Sequence, residues 1–347
     1  MNISYSRVSS YMSCPYGHYL GYELGVKAKK PQRPLYFGTD FHRLLELRND
    51  KKALKQAKAE IEDTYYSIPP HWQSELGETY LEDLFSIFSD YCKVYADIPV
   101  PSVTEQEFEL PMFEYKGEPY MFKGKIDELY KRKNRSTGER FLKVGEHKTF
   151  TRRPDNNTLV MNVQKNLYAK AVQLLYGILP KTVIWDYIHS KPAPQPVWLE
   201  KSKRFSNAKN QQITPYSWLR ACKEQGIKDE ETLAKAEEFR GNVPNFFFRV
   251  EQDYDPEMVE DTWKGFVFQA RLIAKYGHKN KTKNMGRNCA FCGYRDICYT
   301  QLTGGNLEHL MERTFTVEPR PDIVNEERRA YDPFFTEWYE EHAEEPF

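Results

Sequence analysis

Three cysteines crowd into one short stretch, NCAFCGYRDIC, at Cys289, Cys292 and Cys298, and a fourth stands near the opposite end of the chain, at Cys14 in SCPYG. Thiols spaced C-x2-C-x5-C are placed to turn toward one metal centre. A tetrahedral set needs a fourth ligand, and Cys14 is the candidate. That assignment constrains the fold more than any other feature, because it brings the N-terminus back to the C-terminal trio and closes nearly the whole chain into one loop. For a disulfide, loop entropy puts so long a closure at roughly 5 kcal/mol, and a four-ligand clip acts in the same sense. Zn²⁺ and a 4Fe-4S iron–sulfur cluster both accept four thiolates, so ligand type alone leaves both open. Cys92 and Cys222 fall outside the pattern and read as ordinary buried or surface thiols.

Thiols serve as ligands where they stay reduced. The opening MNISYSRVSSYMSCPYGHYL lacks a charged segment followed by an apolar one, so no secretory signal is visible. No apolar run approaches the ~20 residues of a membrane span. A cytoplasmic protein without a membrane partner is therefore expected. Lysine plus arginine and aspartate plus glutamate number 50 each, so net charge gives no vote for nucleic acid. Distribution says more. Basic clusters recur at Lys131–Arg135, Arg152–Arg153, Lys201–Arg204 and Lys275–Arg287, while the tail after Val317 is acidic. Cancelling totals can hide a basic groove, although each cluster alone reads more simply as a solvated face.

At 347 residues the chain can form one large domain or two smaller ones. Residues 1–102 read as an N-terminal segment and a helical region carrying Cys14 and His42. FHRLLEL and LEDLFSIFSDYCKVY show apolar stripes at helical spacing, and Pro69-Pro70 separates at least two helices. Residues 103–200 turn to strands: EQEFEL, MFEYKG, YMFKGKIDELYKR and RFLKVGEHKTF, with KNRSTGER as a hairpin connection. The amphipathic helix VMNVQKNLYAKAVQLLYG and the strand KTVIWDYIHS follow, so an α/β core is expected. Residues 201–250 read as a polar, partly helical insertion, 251–316 as a helix and the cysteine cluster, and 317–347 as an acidic tail. The tail reads as a solubilising end before it reads as a docking peptide.

The stretch GEHKTF places Glu146 and Lys148 on one face of a strand and turns the His147 ring away, leaving its carbonyl free to act as a ligand. Asp127 ends the preceding strand, and a hairpin sets such positions side by side, so Asp127 and Glu146 converge on one cation. Two carboxylates and a few waters are what Mg²⁺ asks for. Metal-assisted hydrolysis of a phosphodiester is the matching chemistry, with Lys148 orienting water and stabilising charge on the phosphate. His42, on a helix ahead of the strands, is a further imidazole donor, and Glu46 one turn later reads either as a partner for it or as a solvated surface acid. Gln164 and Tyr168 are four apart and share one helix face.

The order His42, Asp127, Glu146-x-Lys148, Gln164-x3-Tyr168 resembles the PD-(D/E)xK nuclease superfamily. More narrowly it resembles the RecB-like exonuclease branch, which includes CRISPR-adaptation exonucleases and phage-encoded nucleases. The opening Ser4, Ser6, Tyr11, Cys14, Pro15 and the closing C-x2-C-x5-C resemble the iron–sulfur members of that branch. The resemblance implies a restriction-endonuclease-like central mixed sheet flanked by helices, with the C-terminal cysteine cluster closing onto the N-terminus. It implies Mg²⁺ or Mn²⁺ held by His42, Asp127, Glu146 and the carbonyl of His147, with Lys148 catalytic and Gln164 and Tyr168 supporting. It also implies a 4Fe-4S cluster on Cys14, Cys289, Cys292 and Cys298, with Zn²⁺ as the fallback. Gly145 departs from the pattern, which commonly has an apolar residue before the final acid. A metal-dependent DNA exonuclease of recombination, repair or phage DNA processing is thus expected, acting on single strands or duplex ends rather than on a small molecule. A helicase or integration complex is a possible partner, and the segment from Lys201 to about Asn245 a candidate strand guide. The alternative is a catalytically silent DNA-binding or scaffold subunit with a structural metal cluster.

Overall fold

The computed structural model describes residues 1–318 apart from 207 and 209. The N-terminal segment runs through β1 (Asn2–Ile3), α1 (Tyr5–Ser13), α2 (Pro15–His18), a π turn and β2 (Val26–Ala28). The helical region follows as α3 (Arg33–Glu46), α4 (Lys51–Ser67), α5 (Pro70–Leu76) and α6 (Tyr80–Val94). Pro69 stands at the cap of α5 and Pro70 is its first residue, where proline's missing N–H costs no helical hydrogen bond. Three long strands come next, β3 (Val103–Tyr115), β4 (Glu118–Lys133) and β5 (Arg140–Phe150), then α7 (Asn156–Val160), α8 (Val163–Tyr176) and β6 (Thr182–His189). A short hairpin, β7 (Trp198–Leu199) and β8 (Arg204–Phe205), leads to α9 (Pro215–Glu224) and α10 (Glu230–Ala234). The chain returns through β9 (Phe247–Asp253) and α11 (Pro256–Tyr276), and ends in α12 (Arg295–Thr303), α13 (Leu307–Thr314) and β10 (Phe315–Val317).

The central sheet is mixed and six-stranded, in the order β1-β4-β5-β6-β9 with β3 on the other edge of β4. β5 and β6 are parallel and joined through α8, β1 runs parallel to β4, and the β3–β4, β4–β5 and β6–β9 pairs are antiparallel. Side-chain caps set the helix starts: Asn162 accepts from Lys165 N at 2.9 Å to begin α8, which stops at Gly177 in the left-handed conformation. One face of the sheet packs Val144 and Leu129 against Leu167 and Ala171 of α8 and Phe266 and Ala270 of α11. The other packs Ile188 and Phe247 against Phe37, Phe41, Phe88 and Tyr91 of α3 and α6. A sheet buried on both faces matches the expected mixed α/β architecture flanked by helices.

Two strands of that sheet carry no sequence signal that we read. β9 lies at the end of what reads as the insertion, and it begins in FFFRV, an apolar run masked by its polar surroundings. β1 is two residues long and has no periodicity to show. The rest of the insertion has its own small core of Phe205, Ile213, Trp218, Ala221 and Cys222, and Arg220 Nη2 anchors it to Asp90 of α6 at 2.9 Å. Among the described residues no helix is long and apolar enough to cross a membrane. The acidic tail beyond Glu318 lies outside the described residues.

Candidate active site

The β4–β5 pairing sets Glu128 opposite Gly145, so the next positions, Asp127 and Glu146, meet across the two strands. His147 N donates to Asp127 Oδ2 at 2.9 Å, which fixes that carboxylate against β5. His42, one face of α3 away, brings Nδ1 to 3.6 Å from Asp127 Oδ1. Its ring meets that of His147 edge-on at 5.7 Å. The charge of Glu46, one turn after His42, helps to raise the pKa of Lys125.

Glu146 and Lys148 share the side of β5 that faces α8. Lys148 Nζ donates to Glu146 Oε1 at 2.5 Å and to Gln164 Oε1 at 3.1 Å, so the ammonium is aimed by one strand residue and one helix residue. Burial pushes the Glu146 carboxyl up to about 7, and the neighbouring Asp127 charge adds to it, against the pull of Lys148. Burial works against the Lys148 ammonium, yet Glu146 more than offsets it and holds its pKa above the usual lysine range. Tyr168, one turn beyond Gln164 on α8, is pushed up to about 12 by burial and the Glu146 charge, and it packs against Phe108. Its phenol therefore stays protonated and able to donate.

The His147 ring does turn to the opposite face, into a polar layer that sequence reasoning missed. Nδ1 lies 2.8 Å from Asp186 Oδ2 and Nε2 3.3 Å from Glu128 Oε1. Asp186 also accepts from Tyr91 and from Arg249 Nη2 at 2.9 Å, and Glu128 from Tyr130 at 2.6 Å and Arg48 Nη2 at 3.3 Å. Burial disfavours the imidazolium, but hydrogen bonds to Asp186 and Glu128 outweigh it and raise His147 to about 10. Burial alone would raise Asp186; the His147 hydrogen bond and charge and Arg249 hold it instead at about 2. Gly145 owes its identity to this layer. A Cβ there would lie 2.8 Å from Glu128 Oε2 and 2.9 Å from Glu128 Cβ, closer than side chains approach.

Glu105 on β3 is a second omission. Its Oε1 lies 3.7 Å from His42 Nδ1, and donor atoms of His42, Glu105 and Asp127 all fall within 4.8 Å of one another. Carboxylate oxygens with one imidazole suit a hard divalent cation such as Mg²⁺ or Mn²⁺.

The four cysteines named from the sequence line one cavity, with Gly17, Met285, Phe291 and Tyr294 between them. The N-terminal segment does meet residues 282–317 there: Tyr16 N donates to Thr282 O at 3.0 Å, Asn284 Nδ2 to Ser13 O at 3.2 Å, and β10 pairs antiparallel with β2. Tyr294, in the cysteine loop, reaches Val26 O at 3.0 Å and lies so close over Gly21 that a Cβ there would strike its hydroxyl. Among the described residues the sulfurs do not gather within 4.8 Å of one another, so no compact metal group forms there as His42, Glu105 and Asp127 do.

The profile of the PD-(D/E)XK nuclease superfamily matches residues 2–299. No curated protein matches the chain closely. A structure described as the crystal structure of SSO0001 aligns at 13% identity over 75% of this chain and 83% of its own, with a TM-score of 0.28, a likeness too slight to bear on function.

Proposed function

The chain belongs to the PD-(D/E)XK nuclease superfamily, and from that premise we propose that it is a metal-dependent DNA exonuclease carrying a 4Fe-4S cluster. The observation that carries the catalytic part is the Lys148 ammonium held between Glu146 and Gln164, beside the His42–Asp127 pair. His42, Asp127, Glu146 and the carbonyl of His147 would hold Mg²⁺ or Mn²⁺, which supplies Lewis-acid activation of phosphate and water. Asp127 is oriented by the His147 N–H, and the buried ring of His147 keeps that peptide from rotating. Lys148, charged across the working range of pH, places a donor where negative charge grows on the phosphate. Gln164 limits where that ammonium can swing, and Tyr168 adds a hydroxyl donor beyond it. Exonuclease action, DNA as substrate and a role in recombination, repair or phage DNA processing follow from the resemblance to the RecB-like branch. A helicase or integration partner rests on that resemblance alone.

Four thiols lining one cavity support a cluster on Cys14, Cys289, Cys292 and Cys298. One tetrahedral Zn²⁺ would draw four sulfurs to ~4 Å of each other. A 4Fe-4S cluster accepts four thiolates as well, and its preference over Zn²⁺ rests on the resemblance to the iron–sulfur members of the branch.

The test is cleavage of end-labelled single- and double-stranded DNA with Mg²⁺ and with Mn²⁺, by wild type and Lys148→Ala. Metal-dependent shortening from one end by wild type, reduced about 10²–10³-fold in the variant, is expected. Tight DNA binding with no cutting by either protein would reject the enzyme in favour of a silent binding subunit.

A further inference from the structure

The cation site contains one carboxylate more than the proposed chemistry uses. Glu105 sits on β3, and its side chain is only 7% exposed. A buried carboxylate is costly unless something cationic faces it. Two groups do: His42 Nδ1, 3.7 Å from Oε1, and the Lys125 ammonium, which pairs with Oε2. The neighbouring acids of β3, Glu107 and Glu109, are exposed, so burial of Glu105 is particular to this position. Its backbone adopts φ +50°, a left-handed conformation that side-chain-bearing residues rarely take within a strand. Pairing along β3 and β4 runs on both sides of it, Thr104 with Glu128 and Gln106 with Ile126, and skips the Glu105–Asp127 step.

Lys125 differs from Glu105 in exposure. Its side chain is 47% exposed, and its ammonium sits in the combined field of Glu105, Glu46 and Asp127. A tethered monovalent cation on the solvent side of three acids is placed as a counter-ion that can swing away on a long stem.

Resting on the nuclease reading above, we propose that Glu105 is a ligand of the same divalent cation, completing a set of His42, Glu105, Asp127 and Glu146, and that Lys125 holds its carboxylate in place until the cation displaces the ammonium. Glu105 and Lys125 then have opposite effects on the metal. Removing the carboxylate weakens binding, and removing the ammonium strengthens it.

Binding of Mn²⁺ alone to the purified full chain, followed by titration calorimetry and by the paramagnetic resonance of free Mn²⁺, separates the possibilities without DNA or turnover. Glu105→Gln should weaken Mn²⁺ binding about tenfold or more, Lys125→Met should tighten it, and the double variant should bind no more tightly than Glu105→Gln. Circular dichroism of each variant checks that the fold is kept. If Asp127→Asn abolishes binding while Glu105→Gln binds as wild type does, the role of Glu105 is overturned and the nuclease site stands. If Lys125→Met weakens binding as much as Glu105→Gln, the pair is a structural ion pair and the inference is wrong. Failure of wild type to bind Mn²⁺ at all would remove the underlying site as well.

Discussion

At the scale of single residues, His147 carries two roles on its two sides. Its backbone N–H holds Asp127, and its ring, buried between Asp186 and Glu128, anchors the strand from behind. Because those carboxylates raise its pKa from about 6.5 to about 10, the folded protein favours the imidazolium. The stability this contributes is fully present below about pH 6.5 and is lost as pH rises through about 10. Glu146, raised from 4.5 to about 7, loses its contribution in a lower window, so the two are separable. In the metal-free protein the thermal midpoint should therefore fall between pH 7 and pH 10. His147→Gln, which cannot gain a proton, should flatten that fall while lowering stability at pH 7 by a few kcal/mol, on the order of one broken buried ion pair. A variant whose midpoint still fell as steeply between those pH values would show that another group titrates there. Thermal unfolding followed by circular dichroism at each pH is the measurement.

Among the elements, β5 shows which parts of the site the sequence makes visible. Alternation along GEHKTF separates Glu146 and Lys148 from His147, and the structure keeps that separation. The hairpin with its polar connection puts Asp127 beside Glu146 from the sequence alone, whereas Gln164 and Tyr168, four apart on one helix face, stand out only through the family resemblance. The polar layer behind the strand was half visible: Asp186 interrupts the apolar run VIWDYIHS, a charge where burial forbids an unpaired one. Its partners Arg249, Tyr91 and Arg48 come from three distant segments and share no local pattern. Glu105 gave no signal at all, since an alternating strand groups it with exposed acids and only a left-handed backbone at that residue changes the outcome. Gly145 looked like a departure from the family pattern and proves to be a packing requirement of this chain. Gly145→Ala should therefore destabilise by about 1–3 kcal/mol, because its Cβ must displace both Glu128 Oε2 and Glu128 Cβ. Denaturant unfolding of Gly145→Ala beside Gly117→Ala separates this collision from glycine loss in general. Gly117 has open space around it but sits at φ +79°, so its cost reports backbone strain alone. Equal midpoints for Gly145→Ala and wild type would show that Glu128 moves freely and that the layer is soft.

Over the whole molecule, the N-terminal segment and residues 282–317 are held together by packing and backbone pairing. A small core of Tyr16, Leu20, Val26, Ile297, Met311 and Phe315, the β2–β10 ribbon and the Tyr294 contact hold the cysteine loop against α1 and α2. A cluster in the adjoining cavity would lock this closure, and its loss would free an ordering constraint worth roughly 5 kcal/mol by loop entropy. The packed ends offset part of that, so the penalty for losing one thiol should fall below the full figure. Cys14→Ala and Cys292→Ala should each lose iron content and visible absorbance, and should unfold at lower denaturant concentration than wild type. Cys92→Ala, which touches the α3–α6 core rather than the cavity, should keep its iron. Because the nuclease strands fold around a separate core, Cys292→Ala should still bind Mn²⁺ at the His42–Asp127 site while it remains folded. Iron analysis, absorbance and Mn²⁺ binding on the same preparations decide the matter. A Cys14→Ala protein with full iron and full stability would place the fourth ligand elsewhere. Loss of iron together with loss of Mn²⁺ binding in a folded Cys292→Ala protein would mean that the closure at the chain ends governs the geometry of the distant site.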